Sequence, residues 1–411
     1  MKKRIFLVRT FVSIDKIPHK KYFKYCIIFA FYFFLANTKD YSYAQTGNYN
    51  WKTLFDQSYY IGFKNFPQLR QSWINLSNSK ATDDMQSLSY GMDAILAMFE
   101  TSEDVTYLDD AILITNNVIN RAHVTKNIPG NKFKLKDNYK GWIGEIPNED
   151  MYQQETVLSE IYLFQYVTRL LKDIHNNPGI YSKHKYRKFY KSTLQFVETD
   201  VWDKWRERGI RYNGDKFNYI LLGRTHMASH WAYIAAELYF LTSNQSRRRE
   251  YFTLDSLYNN KLENNFKKYE DYISWNQTWD SSINQEEDII QDVSHGNLVV
   301  SYIVEASDLG LWKDTDAIQR LIFTLKEKLW DRKDCSFRDN IDGSMFKKGY
   351  KGSVGSFQAD GFVKLTRYDQ TLFSIYEQFV DCSRFLTSWG QYGQLFANLA
   401  LSQKLLKTQN K

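Results

Sequence analysis

The stretch Leu88-Ser-Tyr-Gly-Met-Asp-Ala-Ile-Leu-Ala-Met-Phe-Glu-Thr-Ser102 decides the fold class, together with the segment after it. A short turn, Glu103-Asp-Val-Thr106, leads to Tyr107-Leu-Asp-Asp-Ala-Ile-Leu-Ile-Thr-Asn-Asn-Val-Ile119. Leu88, Met92, Ile95, Leu96 and Phe99 recur three and four residues apart, the period of a helix with a buried stripe. Two such runs joined by a few polar residues are a helical hairpin.

The same grammar recurs along the chain. Val157–Ile174 turns at Asn176-Asn-Pro-Gly179 and continues through Tyr186–Phe196; His230–Leu241 turns at Thr242-Ser-Asn244 and continues through Arg249–Phe266. Leu298–Ala306 turns at Ser307-Asp-Leu-Gly310 and continues through Asp316–Leu329, and Thr371–Phe385 turns near Thr387 before Tyr392–Leu406. One more helix is expected over Lys52–Trp73. Recurring helix pairs build either an open solenoid or a closed ring. The period is irregular and the long insertions fall between pairs, so the reading is all-α: an (α/α)5-6 toroid or incomplete barrel of helical hairpins. Residues 45–411 then form a single toroid catalytic domain.

The N-terminus has a different character. Lys20, Lys21 and Lys24 precede the apolar run Tyr25–Ala36, and Ser42-Tyr43-Ala44 supplies small residues for cleavage. This is the layout of a secretory signal peptide over residues 1–44. The run is short for a membrane span, which needs about 20 residues. The expected location is secreted or periplasmic, with no stable membrane span after cleavage. The chain carries a formal charge of +7, but residues 45–411 hold 45 basic and 45 acidic residues. That balance argues against nucleic acid as a partner. Cys335 and Cys382 lie beyond the leader; whether they pair is a matter of geometry that sequence does not give.

The connections Arg121–Asp150, Asp203–Gly223, Tyr272–Gln291 and Asp331–Ala359 are long, and in a ring they would share one end. Loops on a rigid scaffold are where binding and catalysis concentrate. These carry Trp142, Glu145, Arg211, Tyr212, Asn213, Trp275, Trp279, Arg338, Lys347, Lys348 and Tyr350. Two motifs stand at their tails, each at the head of an apolar helical run: Arg224-Thr-His-Met-Ala-Ser-His230 and Gln291-Asp-Val-Ser-His-Gly-Asn297. They hold three of the seven histidines.

Each motif has a plainer structural reading. Asp292 and Ser294 suit a helix N-cap, whereas His295 is harder to explain as a cap. His226 and His230 share a helix face at i, i+4; no H-E-x-x-H is present, so a catalytic metal is not expected. One of the pair is expected to be a hydrogen-bonded structural residue. No cofactor is required, and a structural divalent cation is not indicated.

Tyr269–Trp275, Asp292-Val-Ser-His-Gly296 and the helix ending near Gly310 resemble toroidal carbohydrate-active enzymes. Arg224-Thr-His226, His230-Trp231 and Glu237–Thr242 resemble the alginate-lyase-like polysaccharide lyases of that group. The likeness runs over roughly Met151–Leu401 in layout, with His226 where an Asn-His pair is common. It implies β-elimination on an anionic, uronic-acid-containing polysaccharide or oligosaccharide. The expected catalytic set is His226 or His295 as base, Arg224 with Asn297 on the carboxylate, and Tyr272 as acid. Substrate-binding positions are Asn297, His230, Asp292, Trp275, Trp279, Trp142 and Arg211.

Two rivals stand beside this reading. A glycoside hydrolase would need a carboxyl pair, for which Glu145, Glu149, Asp280, Glu286, Glu287, Asp288, Asp292 and Asp360 are available. A non-catalytic glycan-binding protein would keep the aromatic loops without needing the histidines.

Overall fold

The structure is a computed structural model that describes residues 49–64, 66–147, 151–279, 289–346, 354–382 and 391–409. The expected leader, 1–44, lies outside the described residues. So do Glu149, Asp280, Glu286, Glu287, Asp288, Lys347, Lys348 and Tyr350.

The fold is all-α, with three short two-stranded antiparallel ribbons. The first hairpin forms as its sequence dictates: α3 (Asp84–Ser102) ends at Glu103, whose φ of 58° reverses the chain. Asp104 then accepts from Thr106 N at 2.9 Å and caps α4 (Val105–Asn120). This is the N-capping role of aspartate. α5 (Val157–Asn176), α6 (His184–Phe196) and α7 (Lys204–Asn213) come after it. Next are α8 (Thr225–Leu241) and α9 (Gln245–Asn265), joined by the Asn244 cap. α10 (Val293–Asp308) passes through Gly310, at φ +71°, into α11 (Thr315–Phe323).

Two expectations need correction. Lys52–Trp73 is not one helix but α1 (Trp51–Tyr60) and α2 (Leu69–Leu76). Gly62, at φ +119°, and Pro67 separate them. The expected loop Asp203–Gly223 is helical through its first half, as α7. The last two expected helices form as α13 (Leu372–Asp381) and α14 (Gln391–Gln409), with their turn near Thr387 outside the described residues; a short helix, α12 (Gly361–Lys364), precedes them, and α14 packs on α1 as well as α3.

Helix contacts run in a closed order. α3 packs on α5, α5 on α8, α8 on α10, α10 on α12, α12 on α14, and α14 on α3. The members of this circuit are buried on nearly every face; in α5 every residue from Ser159 to Leu171 is buried. α4, α6, α9 and α11 pack on α3, α5, α8 and α10 respectively. Among the described residues no helix is long and apolar enough to cross a membrane.

Polar groups lie buried where the circuit helices face one another. Asp93 of α3, fully buried, sits 2.5 Å from Arg169 of α5 and 3.1 Å from Lys364 of α12. It also accepts from Gln394 and Asn398 of α14, both at 2.8 Å. Burial alone would raise this carboxyl, but the charges of Lys364 and Arg169 outweigh it and hold it below its ordinary value. Lower along the same helices, Lys172 pairs with Glu237 at 2.8 Å and with Glu305.

Removing one partner of a buried charge pair leaves the other uncompensated. Asp93→Ala should therefore cost about 3–5 kcal/mol of folding free energy, read as a lowered urea midpoint. A surface-like loss under about 1 kcal/mol would contradict the structural role given to Asp93.

Candidate active site

The heads of the circuit helices converge. A cavity of about 90 Å³ is lined by Gln86 and Tyr90 of α3, Tyr162 of α5, and Ser294, His295, Asn297 and Leu298 of α10. Phe357, Asp360 at the α12 N-cap, and Gln391 and Gln394 of α14 complete the wall. α8 joins through His226, whose ring centroid lies 4.2 Å from that of His295, with the planes tilted by 40°. The two histidine motifs thus meet at contact distance.

Asp292 does two jobs. One oxygen, Oδ1, accepts from the His295 backbone N at 3.1 Å and from Ser294 Oγ at 2.5 Å, which caps α10. The other, Oδ2, lies 2.7 Å from His295 Nδ1. Burial would raise the Asp292 carboxyl, but the hydrogen bond and charge of His295, with Ser294, lower it to about 2. An ionised carboxylate only accepts, so Nδ1 is the donor and neutral His295 keeps its lone pair on Nε2. The His295 side chain is 44% exposed, so the ring reaches the cavity and solvent.

His226 is 3% exposed. Burial first, then His295, His230 and Arg224, hold its imidazole well below the ordinary value, while Gln291 acts weakly the other way. His226 is a neutral ring beside the dyad. His230 is fully buried; its Nδ1 lies 2.8 Å from Gln165 Oε1, and its ring packs on Tyr162 at 4.2 Å. Burial and then His295 bring it down to about 3. It is the structural member of the pair, and its expected contact with substrate is corrected: no ring edge is open.

Asn297 Oδ1 accepts from Gly361 N at 2.8 Å and Phe362 N at 2.9 Å, which fixes the amide and leaves Nδ2 as its donor. This contact needs Gly361, where an added Cβ would stand 2.0 Å from Asn297 O. The segment carrying Asp292 is braced from outside: Val293 N donates to Asp339 O at 2.7 Å and Ile341 N to Gln291 O at 3.1 Å. Cys335, just before that brace, forms a disulfide with Cys382, at the C-cap of α13. The pairing that sequence left open is therefore present.

Other expected site residues are placed elsewhere. Trp275 and Trp142 are buried in the core, Trp142 donating from Nε1 to Val118 O at 3.0 Å. Neither presents a ring face for a sugar, so the stacking role expected of them is corrected. Trp279 is partly buried, edge-on to Tyr258 at 5.4 Å. Tyr272 stacks flat on Tyr269 at 4.1 Å, with Lys328 Nζ 4.2 Å from its ring centre. It does not line the cavity, so the expected role of Tyr272 as acid is corrected. Arg211 is 2.5 Å from Asp137, in an ion-pair group with buried Arg208. Arg224 stands half-buried at the α8 N-cap, with no carboxylate partner among the described residues.

Gln86, Tyr90, Tyr162, Gln391 and Gln394 were not singled out from the sequence, and Asp360 only as one of the acids available to a hydrolase. For Gln86, Gln391 and Gln394 the signal was available: each is a polar group at or near the head of an apolar helical run, the feature that marked His295. Burial first, then Tyr90, Asp292 and Asp360, raise the Tyr162 hydroxyl well above its ordinary value, so it stays a donor. Among the described residues no three His, Cys, Asp or Glu side chains converge as metal ligands. Comparison with protein-family models, curated proteins and solved structures returns no match.

A depressed folded-state pKa stabilises above the unfolded value and is lost as pH falls through the folded one. For Asp292 the window runs from the unfolded carboxyl, about 3.9, down to about 2. Stability should therefore fall across this range in the wild type and fall less in Asp292→Asn, as read by chemical unfolding at each pH. Parallel acid profiles would refute the ionised Asp292–His295 pair.

Proposed function

We propose that the circuit of helices is an (α/α)6 toroid and that the chain is a polysaccharide lyase acting on a uronic-acid-containing glycan. The closed order of helix contacts and the convergence of helix heads support the architecture. The observation that carries the activity is the imidazole of His295. It is tied at Nδ1 to an ionised carboxylate, open at Nε2, and set in a cavity wall beside protonated tyrosines.

Elimination needs a base, an acid and neutralisation of the uronate carboxylate. Nε2 of His295 removes the proton from C5. The C–H electron pair becomes the C4–C5 double bond as the C4–O bond breaks, and the departing oxygen takes a proton from a cavity tyrosine, Tyr162 or Tyr90. Arg224 and the fixed Nδ2 of Asn297 serve the carboxylate, whose neutralisation makes C5–H acidic. Buried His226 stays uncharged and leaves the protonatable position to His295.

A hydrolase would need two carboxyl groups across the scissile bond. Of the acids considered from sequence, Asp360 alone among the described residues lines the cavity. Asp292 is committed to His295, and Glu145 faces Lys80 at 3.4 Å. These placements favour the lyase. The Cys335–Cys382 disulfide supports the proposed export, since such bonds persist in oxidising compartments.

Absorbance near 235 nm on incubation with uronic-acid polymers tests the reading, because only elimination leaves an unsaturated product. His295→Ala should lower that turnover about 10²–10⁴-fold with the fold unchanged by circular dichroism. Saturated products, or full turnover in His295→Ala, would refute it.

A further inference from the structure

Outside the cavity, the connection from α4 to the head of α5 carries a run of cations, Lys126-Asn-Ile-Pro-Gly-Asn-Lys-Phe-Lys-Leu-Lys-Asp-Asn-Tyr-Lys140, with five lysines against one aspartate. Its two sides alternate. Asn131 and Phe133 are buried and Leu135, Asp137 and Tyr139 partly buried, whereas Lys132, Lys134, Lys136 and Lys140 are exposed, as is Lys126. The inward side is pinned. Arg208 of α7, fully buried, donates to Asp137 Oδ2 from Nε and to Glu155 Oε2 from Nη1, both at 2.9 Å. Asn131 Nδ2 donates to Glu155 Oε1 at 3.0 Å, and Lys132 N to Gln153 O at 2.8 Å, just before α5 begins. The one acid of the run, Asp137, is taken by Arg208 and Arg211.

The outward side has no such compensation. Among the described residues none of the five ammonium groups meets a carboxylate; Lys134 Nζ lies instead 3.5 Å from the ring centre of Tyr212, which is 40% exposed. Residues 45–411 are balanced in charge, so this excess is local. A row of like charges on a braced loop repels itself and draws a partner of opposite sign. Lysine ammonium groups are point charges on flexible stems, so they register repeated charge and not one particular ring. We infer that the strip holds an anionic polysaccharide outside the cavity, with successive uronate carboxylates against Lys132, Lys134 and Lys136. That the polyanion is a glycan rests on the lyase reading above. The strip then makes the substrate a long polymer that is gripped beyond the sugar in the cavity.

The full chain carrying His295→Ala, which blocks the proposed turnover, is titrated with alginate, polygalacturonate, hyaluronan, neutral dextran and single-stranded DNA. One or more of the three polyuronates should bind and dextran should not. Lys132→Gln, Lys134→Gln and Lys136→Gln together, in the same background, should weaken that binding about tenfold, the combined effect of losing three exposed charge contacts. The same triple should flatten the salt dependence, since exposed charge pairs are screened. Arginine at the same three positions should keep the affinity, and all variants should share one urea midpoint because the three side chains are exposed. No polyuronate bound, dextran bound equally, an affinity unchanged in the glutamine triple, or DNA bound more tightly than every polyuronate would overturn the inference. The lyase reading is judged separately, by 235 nm absorbance from the wild-type chain on the same polymers. Unsaturated product with binding indifferent to the glutamine triple would leave the lyase standing and remove the strip. Weakened binding in that triple with no unsaturated product would keep the strip and remove the lyase.

Discussion

Asp93 is the constraint on which the candidate site depends. A carboxylate with no solvent contact must be fully compensated, because an unpaired buried charge is far too costly to keep. Arg169, Lys364, Gln394 and Asn398 provide the compensation from three other helices. Two of these partners reach directly into the site. Lys364 also holds Asp360, and Gln394 is itself part of the cavity wall. Fixing the ionisation of Asp93 therefore fixes the positions of the α12 and α14 heads relative to α3 and α5. An apolar core would bury the same helices but leave their rotation and height less sharply set.

The dyad shows how one carboxylate serves two levels of structure. As an N-cap, Asp292 satisfies the first turn of α10; as a partner to His295, it selects the tautomer of that ring. The ladder contacts with Asp339 and Ile341 keep this residue from moving. His226, pressed against the same imidazole, loses the contest for a proton because burial penalises its charged form. The half-exposed ring of His295 is the one that faces the cavity.

The helices were largely legible because their apolar spacing is regular and their turns carry Asp104, Asn244 and Gly310. The short helix α12 and the packing of α14 were not. α12 is a single turn with too few residues for a periodic signal, and α14 finds its neighbour, α1, at the other end of the chain. The histidines were legible as polar groups at helix heads. The tryptophans were misread, because loop position in sequence says little about burial: Trp142 and Trp275 lie in connections that fold back onto the core. Tyr162 was hidden for the opposite reason, an aromatic residue inside an apolar run reading as core until its hydroxyl is seen in the cavity wall. The Asp93 hub was equally hidden, since a single Asp inside an apolar helix gives no hint of its partners.

Of the two touching imidazoles, His295 is the one proposed as base and buried His226 is kept neutral. ¹⁵N shifts of the histidine ring nitrogens, monitored from about pH 5 to 8, test it directly. The expected result is that His226 stays neutral throughout and that neutral His295 carries its proton on Nδ1 and a free lone pair on Nε2. Protonation of His226 near the ordinary histidine value of about 6.5, or a His295 proton on Nε2, would contradict it.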